Sequence, residues 1–204
     1  MGKTKRKAKI TVFGSVEGYR EKYFLDFLKE IYEPRKHNIN PTFDEPSGGT
    51  PDKLVGQAFQ HDHFSRTFVW LDEDFEPEYP LCDELRKKLA ISWKVDEEKL
   101  NALLNCPLKD LESRFNLEKR KPRLIVSQPV CVESIILKIL DKSLPYEQYD
   151  PAKRKEQIKR LKNCVNGIVG SNEAQFYQEH LTKEKIEEKR KNIPVLDILI
   201  SMIT

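Results

Sequence analysis

The chain has 204 residues, 38% hydrophobic and 34% charged, with a net charge of +3, enough for one globular domain or one domain plus a helical appendage. Ten Phe, seven Tyr and two Trp exclude disorder over most of it, and no run approaches the ~18 apolar residues of a membrane span. Cys82, Cys106, Cys131 and Cys164 form no C-x-x-C pair and lack histidines at zinc-finger spacing; this argues against a structural zinc site and fits small buried residues in a reducing compartment.

Residues 1–8 read as a basic tail: Lys3, Lys5, Arg6 and Lys7, with Lys9 just after, carry no compensating acid. The run leads into a four-residue apolar strand, not a secretory h-region, so the expectation is a cytoplasmic protein with no membrane partner. Such a tail reaches nucleic-acid phosphate or is simply a solvated end. Ile10-Thr11-Val12-Phe13, stopped by Gly14-Ser15, predicts a buried strand. From Arg20 to Tyr32 a helix follows, with Tyr23, Phe24, Phe27, Leu28 and Ile31 at helical spacing ahead of Pro34. A weaker strand is expected over His37 to Phe43, then a turn at Gly48-Gly49-Thr50 and a helix from Pro51 with Leu54, Val55, Ala58 and Phe59 inward. His61-Asp62-His63 reads as a surface loop before the clearest strand, Thr67 to Leu71, which runs into Asp72-Glu73-Asp74.

Residues 81–121 turn helical and interrupt the alternation. It resumes with a strand over Arg123 to Val126, a turn at Ser127-Gln128-Pro129 and a helix around Glu133 to Leu140. Beyond Pro145 the chain becomes charged helix, with eleven Lys/Arg and six Glu in residues 151–191, before the apolar segment Val195 to Ile200. Four strands alternating with helices predict an α/β fold with a mostly parallel sheet. The domain spans 9–145, carries a helical insertion at about 81–121, and is followed by a helical extension over 146–204. That extension either packs across the sheet or docks a partner.

In such sheets ligands bind beyond the carboxyl ends of the strands. Glu17 and Glu21 follow the first strand, Asp72 and Asp74 the third, Ser127 and Glu133 the fourth. Asp72 and Asp74, two apart on extended chain, share a side. Clustered carboxylates raise one another's pKa unless a cation lies between them, which points to a hard divalent ion such as Mg²⁺ or Mn²⁺. Singly, each acid is equally well a solvated cap. A Walker-type NTPase is excluded because no glycine loop precedes Gly2-Lys3-Thr4.

The Glu-Gly after the first strand and Asp-x-Asp after the third resemble the signature of the TOPRIM nuclease domain. Val16-Glu17-Gly18-Tyr19-Arg20-Glu21-Lys22-Tyr23-Phe24 and Ser127-Gln128-Pro129-Val130-Cys131-Val132-Glu133 resemble motifs of the RloB family of stand-alone TOPRIM proteins, related to the OLD (overcoming lysogenization defect) group. Arg20 stands where that family usually has Thr, and Val132 replaces its aromatic. The resemblance implies a TOPRIM/Rossmann-like fold and a Mg²⁺- or Mn²⁺-dependent endonuclease. The implied metal ligands are Glu17, Glu21, Asp72, Asp74 and Glu133; Glu17 doubles as general base, and Lys153 is a candidate phosphate-stabilising cation. It further implies cleavage of DNA or tRNA in antiphage defence, control by an ABC-type or AAA-like ATPase partner, and a homodimer or an ATPase-held assembly. A catalytically silent TOPRIM-like module that regulates such an ATPase is the alternative.

Overall fold

The computed structural model describes residues 9–44, 51–61, 63–72, 122–127, 131–148 and 150–204, with the helical positions Lys87, Ala90, Ile91 and Glu98. Asp74, Glu73, the Gly48-Gly49-Thr50 turn and the rest of the expected insertion lie outside the described residues. Four strands, β1 (Ile10–Val16), β2 (Ile39–Asp44), β3 (Arg66–Leu71) and β4 (Arg123–Val126), form one sheet in the order β2-β1-β3-β4. Every neighbouring pair is parallel. The fold is therefore α/β, a four-stranded parallel sheet flanked by helices, as a TOPRIM/Rossmann-like arrangement requires.

The helices are α1 (Tyr19–Tyr32), α2 (Pro51–Gln60), α3 (Val132–Ile139), α4 (Arg154–Val169), α5 (Glu173–His180), α6 (Lys183–Arg190) and α7 (Pro194–Ile203). The β1–α1–β2 and β2–α2–β3 crossovers run in opposite directions along the sheet, so right-handed connections put α1 and α2 on opposite faces. Side-chain alternation agrees. Val12 and Val16 join Phe24 and Leu28 of α1 in the main core, whereas the Ser15 hydroxyl donates to Gln57 Oε1 of α2 at 2.7 Å.

Strand β1 does not stop at Gly14. Gly14 pairs with Phe43 on one side and Phe68 on the other, and the ladder continues to Val16. Glycine is needed here for closeness: a Cβ on Gly14 would lie 2.4 Å from Phe68 Cζ. Phe68 is fully buried, so Gly14→Ala is expected to cost about 1–3 kcal/mol of stability through overpacking. The shift of the urea midpoint measures it, and Phe68→Leu in the same chain is expected to recover part of the loss. Tyr23 departs from the helical pattern too. It is 44% exposed, because Phe24, Phe27 and Leu28 form the centre of the buried stripe, and it lies beside exposed Tyr19 with ring centroids 6.4 Å apart.

The C-terminal helices complete the core. Leu161 and Val165 of α4, Tyr177 of α5, Ile186 of α6, and Leu196, Leu199, Ile200 and Ile203 of α7 are fully buried in the cluster that holds α1, α3 and one face of the sheet. Each such aliphatic side chain contributes roughly 1.5–3 kcal/mol by burial. Local signals set the breaks between these helices: Asn172 Oδ1 accepts the Gln175 N–H at 3.2 Å and Thr182 Oγ1 the Lys185 N–H at 3.3 Å, each an N-cap.

Candidate metal centre

The strand order reverses between β1 and β3, because the chain leaves β1 towards β2 and later passes β1 to form β3 and β4. A crevice at the carboxyl end of the sheet opens at such a reversal. Glu17 follows β1 there and Asp72 follows β3. The Asp72 N–H donates to Glu17 Oε2 at 3.3 Å, which ties the two strand ends together. Asp72 is 3% exposed.

Two helix starts converge on the same point. Gly18 caps α1 in extended conformation, and Glu21, at the third helical position, folds back over it: a Cβ on Gly18 would stand 3.1 Å from Glu21 Oε2. The Glu-Gly pair thus provides an acid and the space for a second one. Glu21 is 6% exposed. Burial, reinforced by the charge of Glu133, raises its pKa from 4.5 to about 7, against the pull of its own backbone N–H, Lys162 and Arg20. On the other side the chain leaves β4 through Ser127, whose N–H extends the ladder to the Leu71 carbonyl at 2.8 Å. Its hydroxyl oxygen accepts Trp70 Nε1–H at 2.8 Å. Ser127 is completely buried and fixes the exit from β4.

Glu133, in the first turn of α3, is 3% exposed. One carboxylate oxygen of Asp72, one of Glu133 and the Cys131 Sγ lie within 4.8 Å of one another. Desolvation, then the charges of Asp72 and Glu133, push the Cys131 thiol pKa well up. Arg20 closes the group from α1. Its Nη1 donates to Glu133 Oε1 at 2.7 Å, Nε to Glu173 Oε1 at 2.8 Å and Nη2 to Asn166 Oδ1 at 2.8 Å. Desolvation opposes the Arg20 charge, but Glu133 and Glu173 outweigh it and hold the guanidinium pKa above its usual value.

Arg20 and Lys162 are the cations that sequence spacing did not single out. Lys162 lies on α4 one turn before Asn166 and acts electrostatically on Glu21. Lys153 sits in a short 3₁₀ turn (Pro151–Lys153) ahead of α4, with its Nζ 3.9 Å from Asp150 Oδ2 and its side chain 68% exposed. His61 packs its ring on Phe13 at a centroid distance of 4.0 Å, and His63 packs against Phe64. The structure therefore gathers Glu17, Glu21, Asp72 and Glu133 at one end of the sheet, with Cys131 and Arg20 among them. The donor set suits a divalent cation. Among the described residues, buried Glu133 Oε2 has no hydrogen-bond partner, which is a costly state for a carboxylate oxygen unless a cation or water meets it.

No family model and no curated protein matches the chain. Among solved structures it is similar to the C-terminal region of the Burkholderia pseudomallei OLD protein, at a TM-score of 0.44 and 14% identity, over 95% of this chain and 98% of that one.

Proposed function

We propose that the chain is a metal-dependent endonuclease that hydrolyses nucleic-acid phosphodiesters in DNA or tRNA. The observation that carries this reading is the convergence of Glu17, Glu21, Asp72 and Glu133 at the strand-order reversal, in the motif order of TOPRIM nucleases. Glu17, Glu21, Asp72 and Glu133, with Asp74, would hold Mg²⁺ or Mn²⁺. Bound there, such an ion supplies an acidified water and neutralises charge on the phosphoryl oxygens. The chain's own residues do the rest. Glu17, steadied by the Asp72 N–H, accepts the proton of the attacking water as general base. As the water oxygen bonds to phosphorus, the bond to the leaving oxygen breaks and that oxygen takes a proton from solvent, while Lys162 and Arg20 offset the charge that develops. Arg20 also fixes Glu133 through Oε1, so that Oε2 keeps one orientation.

The RloB resemblance supports a finer reading: an effector of antiphage defence, controlled by an ABC-type ATPase partner. Its test is co-purification of such an ATPase with the tagged chain from cells that encode both.

The decisive measurement is Mn²⁺ titration calorimetry on wild type and Asp72→Asn, beside cleavage of DNA and tRNA pools. Asp72→Asn is expected to lose Mn²⁺ affinity by on the order of 100-fold and to lose cleavage, with its circular dichroism unchanged. A wild type that binds no Mn²⁺ at millimolar concentration, with or without nucleic acid, overturns the nuclease reading and favours a silent module.

A further inference from the structure

Cys131 is the member of the acid cluster that hard-ion chemistry does not use. A structural core cysteine is normally surrounded by apolar groups. Cys131 is 0% exposed, yet its Sγ faces two buried carboxylates, those of Asp72 and Glu133, with all three donor atoms within 4.8 Å of one another. It is the N-cap residue of α3, and its thiol makes no cap hydrogen bond there. A small hydroxyl residue would serve the cap better, so the helix start gives no reason for sulfur at this position.

Glu133 supplies an independent observation. Its side chain is 4% exposed, Arg20 Nη1 occupies Oε1 at 2.7 Å, and Oε2 is buried without a hydrogen-bond partner among the described residues. Three of the five guanidinium N–H donors go to Glu133, Glu173 and Asn166. A buried carboxylate oxygen in this position, beside the Cys131 thiol, is costly unless water or a cation meets it, and a cation would also meet the sulfur. Donor chemistry narrows which one: all-oxygen sites suit Mg²⁺ and Mn²⁺, whereas a thiolate beside carboxylates favours borderline, thiophilic ions. Donors around one tetrahedral zinc lie roughly 3.5 Å apart, which small side-chain rotations reach from the separation seen.

From this donor set we infer that Asp72, Cys131 and Glu133 form a site for a thiophilic divalent ion, in the first place Zn²⁺. As the ion enters, the Cys131 S–H bond breaks, the sulfur bonds to the metal and the proton passes to solvent. Three protein ligands leave a coordination position for water or a phosphate oxygen, the pattern of catalytic rather than structural zinc. The inference rests on the proposed nuclease site only through the shared residues Asp72 and Glu133.

The test uses the full chain stripped of metal and titrated with Co²⁺, whose bond to a thiolate gives a near-ultraviolet charge-transfer band. Wild type is expected to develop that band to a stoichiometry of about one ion per chain, and Zn²⁺ to abolish it by displacement. Cys131→Ser is expected to lose the band and to bind Zn²⁺ at least ~10–100-fold more weakly, since even outer-shell changes cost that much, while Mn²⁺ binding by calorimetry stays within about twofold. Cys131→Ala is the second variant should serine disturb the buried site, and it assigns the wild-type band to Cys131 rather than to another of the four cysteines. Co²⁺ binding without the band in wild type, no Co²⁺ binding, or a band that survives in both Cys131 variants overturns the inference. Loss of Mn²⁺ binding with an intact Co²⁺ band counts instead against the hard-ion reading alone.

Discussion

Arg20→Ala is expected to destabilise the protein by about 3 kcal/mol, at the lower end of the range for breaking a buried ion pair from one side. The reason is what the substitution leaves behind. Glu133, its side chain 4% exposed, would lose its ion-pair contact with Arg20. Glu173, 17% exposed, would lose the guanidinium and retain the Tyr177 hydroxyl as a donor. The Arg20 side chain is itself 20% exposed, so some of its charge is solvated and the upper end of the range does not apply. Urea unfolding of Arg20→Ala, Glu133→Gln and the double variant measures the coupling. Glu133→Gln removes the stranded charge, so the double variant is expected to be more stable than Arg20→Ala alone, with an interaction energy of at least ~1.5 kcal/mol. A loss under ~0.5 kcal/mol for Arg20→Ala would mean that this junction of α1, α3, α4 and α5 does not hold the site together.

That junction marks the limit of what spacing along the chain reveals. The buried strands were legible because they are short apolar runs cut by turn residues, and the acids at their ends because parallel sheets present ligands there. The Glu17-Gly18 pair and Asp72 followed directly. Arg20 read only as a departure from the usual Thr, since its partners lie 113, 146 and 153 positions away and no local period encodes them. Gly14 read as a strand end because glycine commonly punctuates; its role is steric, set by a Phe68 ring on another strand. Lys153 attracted notice as a lysine that follows Tyr149 in a basic segment, whereas helix geometry turns Lys162 and Asn166, four residues apart, towards Glu21 and Arg20. Cys131 read as one more small apolar residue. Glu133 is two residues further on, but Asp72, just after β3, meets Cys131 only in the folded chain.

Glu21→Gln is expected to stabilise the metal-free protein at alkaline pH and to do little at acid pH. The folded-state pKa of Glu21, about 7, stands above its ordinary 4.5, with desolvation as the main cause. The folded protein therefore binds a proton that the unfolded chain releases between those two values. Stability falls as pH rises from about 4.5 to about 7, and the penalty is complete above the folded pKa. A rise of that size corresponds to about 3 kcal/mol. Glutamine carries no charge to desolvate and its amide oxygen can still accept the backbone N–H, so the variant removes most of the penalty. Urea unfolding at about pH 5 and about pH 8 is expected to show wild type losing stability between the two, beyond what Glu21→Gln loses, with the variant ahead by up to ~3 kcal/mol at the higher pH. Mn²⁺ offers the same relief by another route: a cation beside Glu21 lowers its pKa again, so saturating Mn²⁺ should stabilise wild type more than the variant. A stability difference that is flat from about pH 5 to about pH 8 would show that Glu21 ionises like a solvent-exposed acid. An acid kept at a cost to the empty fold, and relieved by a cation, is the thermodynamic mark of a binding site rather than of a structural cap.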